Sequence, residues 1–235
     1  MTAILALDTS TPACSVALNI DGVVLEDFRM APRLHNDLIL PMVDQILSQA
    51  GMSLSDLDGI AFGRGPGSFT GLRISAGVVQ GLAFGADLPA IPVSTLAALS
   101  LEAFQKTGQN HWLAALDARM GEIYLGGYFV NKTDGQYQLE TRVNEQVVKP
   151  DLLSEFEMEF NGVGSGWCYE ETLSKRLPKA PEHILTDFSP RAACIAELGM
   201  MAFQNGETVS SYDAIPTYLR DEITWEKQAP RIGKR

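Results

Sequence analysis

Cysteine and histidine are scarce in this chain, and their scarcity excludes several kinds of site. The 235 residues include three cysteines and three histidines. Cys14, Cys168 and Cys194 are odd in number and widely spaced, so the sequence predicts neither a disulfide framework nor a thiolate metal site. The histidines form no His-x-x-x-His or His-Glu-x-x-His pattern, so a catalytic zinc or iron site built by the protein is not expected.

Positive charge is also in short supply, which argues against direct binding of nucleic acid. Lysine and arginine number 18 against 29 aspartates and glutamates, for a formal net charge of −11. Nucleic-acid affinity comes mainly from neutralising phosphates, so the isolated chain is expected to bind RNA or DNA poorly. The basic residues near the C-terminus are interpreted as a solvated tail rather than a phosphate contact; they are Lys227, Arg231, Lys234 and Arg235.

Long apolar segments are missing as well. The N-terminal run from Met1 reaches Asp8 after a few apolar residues and has no basic residue before them, so it does not resemble a signal peptide. None of the apolar runs approaches the length of a membrane span. We therefore expect a reduced, cytoplasmic protein without a membrane segment, with a length that suits one large domain or two of roughly 100 residues.

The order of the predicted elements indicates two α/β halves. In each half a strand, a polar turn and a hairpin come first and helices come last, and Asp21-Gly22 and Asp134-Gly135 are typical hairpin turns. Helices are predicted at 34–50, 70–86 and 95–106, and from Ser189-Pro190 to Gln204. The sequence therefore predicts an N-terminal lobe at 1–106, a C-terminal lobe at 107–220 and a polar tail at 221–235.

Two short segments have the composition of phosphate-binding turns. A carboxylate and hydroxyls at Asp8, Thr9 and Ser10, just after a strand, could face a metal-bound phosphate, but such residues also commonly cap their own turn. Gly164 and Gly166 would let an adenine approach the backbone closely, and they equally suit a tight strand-to-helix turn. The residues alone leave both alternatives open, and the purely structural one is the commoner.

A loop with several glycines follows the strand near residue 60. Residues 65–71 lack the Gly-Lys-Ser/Thr ending of a P-loop and the Gly-x-Gly-x-x-Gly spacing of a dinucleotide site. We therefore predict a structural role for this loop, in which Ser68 or Thr70 caps the next helix and Phe69 faces outward as a packing residue.

A row of glycines lies on the helix after that loop. Gly77, Gly81 and Gly85 recur every fourth residue, and each costs about 1 kcal/mol relative to alanine in a helix interior. The close approach of another backbone would offset this cost. That backbone is either the domain's own sheet, the commoner case, or a helix of a second chain.

Taken together, five segments in order along the chain resemble the TsaB family, also called YeaZ. They are Ile4 to Ser10, Gly65-Pro66-Gly67-Ser68-Phe69-Thr70-Gly71-Leu72-Arg73-Ile74, Ile91 to Leu96, Leu116-Asp117-Ala118-Arg119 and Tyr218-Leu219-Arg220. The resemblance covers nearly the whole chain, and the Gly-Pro-Gly-Ser-Phe-Thr-Gly run is specific. It implies the α/β fold of the sugar kinase, chaperone ATPase and actin (ASKHA) superfamily, in which two lobes of mixed sheets and helices enclose a nucleotide cleft.

The resemblance also implies a process and partners. Bacterial TsaB proteins support TsaD, which transfers a threonylcarbamoyl group from its adenylate to the adenosine beside the tRNA anticodon, and the ATPase TsaE is the usual third member. TsaD carries a metal-binding His-x-x-x-His where Thr95 and Leu99 stand here. Neither side chain replaces a neutral imidazole ligand. The expected function is that of a catalytically silent scaffold, without catalytic or metal-binding residues, that meets tRNA only through the complex.

The family's association surface is formed by helices of the N-terminal lobe, which correspond here to residues 34–50 and 70–85. This surface would serve TsaD or, when the chain is alone, a second copy in a homodimer. The side of each helix that faces outward is not given by the sequence. The candidate contacts are Leu38, Met42, Ile46, Gly77, Val78 and Gly81.

The alternative function is a nucleotide-dependent small-molecule kinase or ATPase of the same superfamily. It would use weak ATP or ADP binding at Asp8, Thr9, Ser10, Gly164 and Gly166, which stand where the superfamily holds phosphate and adenine. A metallopeptidase is not expected, because the metal-ligating histidines are missing from the positions where TsaD has them.

Overall fold

The computed structural model of the protein describes residues 1–220, so the predicted tail at 221–235 and its basic residues lie outside the described part. Within it, none of the helices combines the length and apolar character needed to cross a membrane. The strands are β1 Ala3–Asp8, β2 Ala13–Ile20, β3 Val23–Met30, β4 Gly59–Gly65, β5 Ala90–Ser94, β6 His111–Arg119, β7 Glu122–Thr133, β8 Gln136–Val148, β9 Asn161–Val163 and β10 Ile184–Leu185. The helices are α1 His35–Ala50, α2 Phe69–Ala86, α3 Thr95–Thr107, α4 Glu170–Ser174 and α5 Ala192–Gln204.

The strands form two five-stranded mixed sheets with the same topology. The first sheet has the order β3-β2-β1-β4-β5 and the second β10-β9-β6-β7-β8. In each, two antiparallel pairs come first along the chain and parallel strands follow. The hairpin turns at Asp21-Gly22 and Asp134-Gly135 have positive φ at both residues, as a tight hairpin turn requires. The restarted strand pattern in the sequence therefore corresponds to two sheets, and the predicted α/β class is confirmed.

Strand β1 lies at the centre of the first sheet and is buried on both faces. Leu5 and Leu7 pack into the core beneath α1 and α2, whereas Ile4 and Ala6 belong to the core that includes α5. Burial on both faces explains why this strand is a continuous apolar run instead of an alternating one. The first sheet thus lies between two helical layers.

Two helices are exchanged between the halves. Helix α3, from the first half, packs on β6 and β7 of the second sheet, while α5 packs on β1, β2 and β4 of the first. The chain then returns to the first sheet, where Val209 and Ala90 exchange backbone hydrogen bonds of 2.8 and 2.9 Å. The predicted lobe at 107–220 is therefore wrong for α5 and the segment after it, because a sheet face can be covered by a helix from any part of the chain.

Helix α5 begins two residues later than predicted from Ser189-Pro190. Its first amides are satisfied from the first sheet: the Ala192 N–H donates to Ser15 Oγ (2.9 Å) and the Ala193 N–H to Glu26 Oε1 (3.0 Å). The Arg191 guanidinium pairs with the same Glu26 carboxylate at 2.5 Å. Side chains distant in sequence replace the local cap, so the prediction from the neighbouring residues was wrong about where the helix begins.

Candidate functional site

The turn predicted as a phosphate site is closed by the glycine-rich loop. The Ser68 N–H donates to the Ser10 carbonyl and the Thr9 hydroxyl donates to the Gly71 carbonyl, both at 2.7 Å. A Cβ on Gly71 would lie 1.9 Å from the Thr9 carbonyl oxygen, so only glycine allows this approach. Asp8, Thr9 and Ser10 are at most 1% exposed. The three residues come together as predicted, but they lie beneath the loop and do not line an opening.

Asp8 is a buried carboxyl with one satisfied oxygen. Its Oδ1 accepts hydrogen bonds from the Ser10 N–H (3.0 Å) and the Ser10 hydroxyl (2.8 Å), whereas Oδ2 has no hydrogen-bond partner within residues 1–220. A Cβ on Gly63 would lie 2.0 Å from Oδ2, so the sheet closes directly on this atom. Burial raises the pKa of Asp8 to about 7, against the opposing effect of the two Ser10 hydrogen bonds. A carboxyl without access to solvent does not hold a magnesium-bound phosphate.

The second predicted nucleotide segment also closes on the protein's own backbone. A Cβ on Gly164 would lie 2.4 Å from the Ala115 carbonyl oxygen, and one on Gly166 would lie 2.7 Å from Ala115 Cβ. The hydroxyl of Ser165 between them accepts a hydrogen bond from the Asp117 N–H at 3.2 Å. These glycines therefore make a tight turn against β6, where a side chain at either position would collide with the strand. The protein's own backbone accounts for glycine at both positions.

Helix α3 contacts both of these segments and carries Thr95 and Leu99, the positions where the resemblance in the sequence implies histidines in TsaD. The Thr95 hydroxyl donates to the Pro66 carbonyl at 2.5 Å, which orients it toward the glycine-rich loop. Leu99, one turn later, lies 3.2 Å from the Cβ position of Gly164. Both residues are fully buried. A neutral hydroxyl that is held in a backbone hydrogen bond and an isobutyl group do not fit a metal ion, because the first is a poor ligand without an anionic set and the second has no lone pair.

A polar network that sequence reasoning missed joins the two sheets. The Glu145 carboxylate on β8 accepts hydrogen bonds from the Tyr128 hydroxyl (2.7 Å), the Ser94 hydroxyl and the Arg64 guanidinium (3.2 Å). Burial, followed by the adjacent Glu145 charge, raises the pKa of Tyr128 above its ordinary value. The partners lie up to 81 residues apart in sequence, so no local pattern could have shown the network.

The accessible candidate site is a groove of about 690 Å³ between α1 and α2, on the outer side of the first sheet. Gly77 and Gly81 lie in it, and a Cβ on either would meet nothing within 4 Å in the described part of the chain. The glycine row therefore faces outward, and of the two alternatives left open by the sequence, packing on the domain's own sheet is excluded. The groove is lined by Asn36, Leu40, Phe69, Thr70, Arg73, Ile74, Gly77, Val78, Gly81 and Leu82.

Only part of the predicted contact set lies on this surface. Val78 lines the groove, whereas Leu38 is half-buried, packs against the core of the first sheet and is not among the lining residues. Met42 and Ile46 are at most 1% exposed and pack into the core of the first sheet, so their assignment to the surface is a mistake. Helix α1 carries apolar residues on more than one side, and the spacing alone did not tell its buried side from its outer side. Leu40, 47% exposed, is the outward apolar residue.

The groove ends at three side chains packed together at the start of α2. The helix is capped by Ser68, as predicted, and Phe69 is partly exposed. The Arg73 Cζ atom lies 3.9 Å from the centre of the Phe69 ring, and the Arg73 Nε–H donates to the Tyr218 hydroxyl at 3.0 Å. The Phe69 and Tyr218 ring centres are 5.4 Å apart. The segment around residue 218 thus forms one end of the groove.

Comparison with known proteins agrees with the resemblance in the sequence. The family model described as TsaD, tRNA N6-adenosine threonylcarbamoyltransferase, matches residues 21–227. The tRNA threonylcarbamoyladenosine biosynthesis proteins TsaB of Escherichia coli and Haemophilus influenzae are 43% and 41% identical to the chain, each over 95% of it and over 97% and 96% of their own lengths. The solved structure of YeaZ from Pseudomonas aeruginosa is 42% identical, with a TM-score of 0.84 over 93% of this chain and all of that one. The two-lobed ASKHA-type fold is thereby confirmed.

Proposed function

Because the chain belongs to the TsaB (YeaZ) family of tRNA threonylcarbamoyladenosine biosynthesis proteins, we propose that it is a non-catalytic subunit that binds and stabilises TsaD, the threonylcarbamoyltransferase. The groove with its outward glycine row is the observation that carries this proposal. In this function the chain acts in the cytoplasm as a scaffold, TsaE is a further member of the complex, and tRNA is contacted through the partners.

The absence of a reactive centre among the candidate residues supports a scaffold. Thr95 and Leu99 are buried and cannot take the place of the metal-binding histidines of TsaD. Asp8 is covered by the glycine-rich loop, and the Gly164 turn packs closely on β6. These observations count against the kinase or ATPase alternative, which needs both segments open to a nucleotide.

The glycine row supports helix-on-helix association. Glycine is the costliest ordinary residue in a helix interior, at about 1 kcal/mol relative to alanine, and Gly77 and Gly81 lie where residues 1–220 supply no contact to a Cβ atom. Without Cβ atoms on Gly77 and Gly81, a second helix can approach the α2 backbone closely and bury the apolar side chains of the groove. The expected occupants are TsaD and, when TsaD is absent, a second copy of this chain.

The test is the affinity of the purified chain for purified TsaD from the same organism, measured by isothermal titration calorimetry. Gly81→Leu places a large side chain where a partner helix is expected and should weaken binding at least about 100-fold, since the groove is then filled and its apolar burial is lost. Gly81→Ala adds only a methyl group and is the matched variant, expected to bind within about tenfold of the native chain. Lys106→Leu adds a leucine to α3, away from the groove, and should leave the affinity unchanged.

Formation of modified tRNA in a reconstituted mixture gives the second readout. Native chain should raise the yield obtained with TsaD and TsaE, and Gly81→Leu should not. Equal binding by Gly81→Leu and native chain would refute the groove as the association surface. Turnover of ATP by the isolated chain that Asp8→Ala abolishes would refute the non-catalytic role.

A further inference from the structure

The groove has one charged side chain among its described lining residues, Arg73. The others are apolar, glycine, or the neutral polar residues Asn36 and Thr70. This local positive charge stands out in a chain with a formal net charge of −11. A cation at the end of an apolar groove selects a partner with an anion at the matching position, because an unpaired charge is costly to bury.

Arg73 belongs to the same helical row as the glycines, which continues as Gly77, Gly81 and Gly85 at every fourth residue. A helix that packs along the glycines therefore meets Arg73 at the end of its path, one turn nearer the N-terminus of α2. The N-terminal end of a helix also carries a partial positive charge, which adds to the attraction for an anion.

The guanidinium of Arg73 is held in place before any partner arrives. It stacks on Phe69, and its Nε–H is taken by the Tyr218 hydroxyl. Tyr218 is fixed in turn by its neighbours: the Thr217 N–H donates to the Arg64 carbonyl (2.7 Å), and Arg220 pairs with Glu122. The two Nη groups of Arg73 have no hydrogen-bond partner within residues 1–220. A pre-ordered fork of free N–H groups is suited to two parallel hydrogen bonds with a carboxylate.

We propose that Arg73, positioned by Phe69 and Tyr218, binds a carboxylate on the partner helix that packs along Gly77 and Gly81. The inference rests on the proposed function and names the chemistry of the partner at one position: an aspartate or glutamate at the end of the helix that lies nearest the start of α2. Arg73 is then a specificity determinant, since a partner with a neutral or basic residue there leaves the cation unpaired.

The experiment is a double-mutant cycle on the complex with purified TsaD, measured by calorimetry at several salt concentrations. Arg73→Gln should weaken binding about tenfold and flatten its dependence on salt. Each surface aspartate or glutamate of the TsaD helices is changed to its amide, and one of these variants should weaken native binding but not the binding of Arg73→Gln. Tyr218→Phe removes only the hydroxyl that positions Arg73. It should therefore weaken binding to TsaD a few-fold when Arg73 is present and should weaken it no further in the Arg73→Gln background.

Arg142→Gln is the matched control. Arg142 is also exposed, lies over the Phe129 ring at 5.3 Å and pairs with Glu140, but it is on β8 of the other sheet. Its loss should leave the affinity and the salt dependence unchanged. Thermal unfolding of each variant should match the native chain, since these arginines lie at the surface.

The outcomes separate this inference from the proposed function. If Gly81→Leu abolishes binding to TsaD but Arg73→Gln binds like the native chain, or if no acidic residue of TsaD couples to Arg73, the inference is wrong and the association surface stands. If the native proteins do not bind each other, both the inference and the proposed function are refuted. Binding of inorganic phosphate or ATP to the isolated chain, measured by calorimetry and eliminated by Arg73→Gln, would show that Arg73 binds a small anion. That result would refute the proposed contact with a partner carboxylate.

Discussion

Replacing Asp8 with asparagine should make the protein more stable at alkaline pH and change little at acidic pH. Burial raises the pKa of Asp8 from 3.8 to about 7 in the folded protein. The folded state therefore holds the proton more tightly than the unfolded state does. The resulting stability is fully present below pH 3.8, declines above that value, and is lost as the pH rises through about 7.

The size of the effect follows from that difference in pKa. At about 1.4 kcal/mol per pKa unit, an ionised Asp8 lowers the free energy of unfolding by up to about 4 kcal/mol relative to the protonated form. Asparagine has the shape of the protonated side chain, and its carbonyl can accept the two hydrogen bonds from Ser10 that Oδ1 accepts now. Its amide meets the same unpartnered position as Oδ2, so the gain at pH 8 should approach this limit from below.

Urea unfolding of native chain and Asp8→Asn at pH 5, 6, 7 and 8 measures the effect. The difference in free energy of unfolding, in favour of the variant, should grow from pH 5 to pH 7 and level off above pH 7. Glu102 is a second buried carboxyl, whose pKa burial raises to about 7, so both proteins should also carry Glu102→Gln as a common background. Two parallel curves, with a constant difference at all four pH values, would refute the assignment of a raised pKa to Asp8.

Two further predictions concern the buried face of α1 and the closed loop. Met42→Glu places a carboxylate in the core of the first sheet and should lower the free energy of unfolding, measured in urea, by at least about 3 kcal/mol. Gln49→Glu, on the exposed side of α1, is the control and should change it by less than about 0.5 kcal/mol. Gly71→Ala sets a methyl group against the Thr9 carbonyl and should lower the melting temperature by several degrees; Gly85→Ala, in open space on the same helix, should raise it, and the reverse order would contradict the packing described for the loop.

Local chemistry was enough to predict most of the strands and the two Asp-Gly hairpins, but not the short strand β10. Both Asp-Gly turns adopt the positive φ values that their sequence favours, and the register of each hairpin follows from its turn. The start of α2 was predictable for the same reason, because Ser68 caps it from the adjacent position. The shared topology of the two sheets appears in the sequence because the order of strand, polar turn and hairpin occurs once in each half.

The features that sequence reasoning missed depend on residues far apart in the chain. The beginning of α5 is set by Glu26, which no pattern near residue 190 reveals. The buried side of α1 is chosen by the sheet beneath it, so Met42 could not be told from a surface residue by spacing alone. Glycine composition at residues 164 and 166 correctly indicated close approach of a backbone, and in the structure that backbone is the protein's own β6. A turn that binds a ligand and a turn that packs on the protein's own backbone can have the same glycine pattern.

Because α3 and α5 are exchanged between the sheets, the first sheet is not complete when its own half of the chain has been synthesised. When the ribosome has released residues 1–106, the face of the first sheet that includes Ile4 and Ala61 still lacks α5, which begins only at Ala192. This apolar surface therefore stays open until α5 has been synthesised, and we expect it to promote aggregation of chains that lack the helix. Separate expression of the two halves should yield aggregation-prone fragments instead of two folded domains. Co-expression of the halves should allow each helix to pack on its sheet.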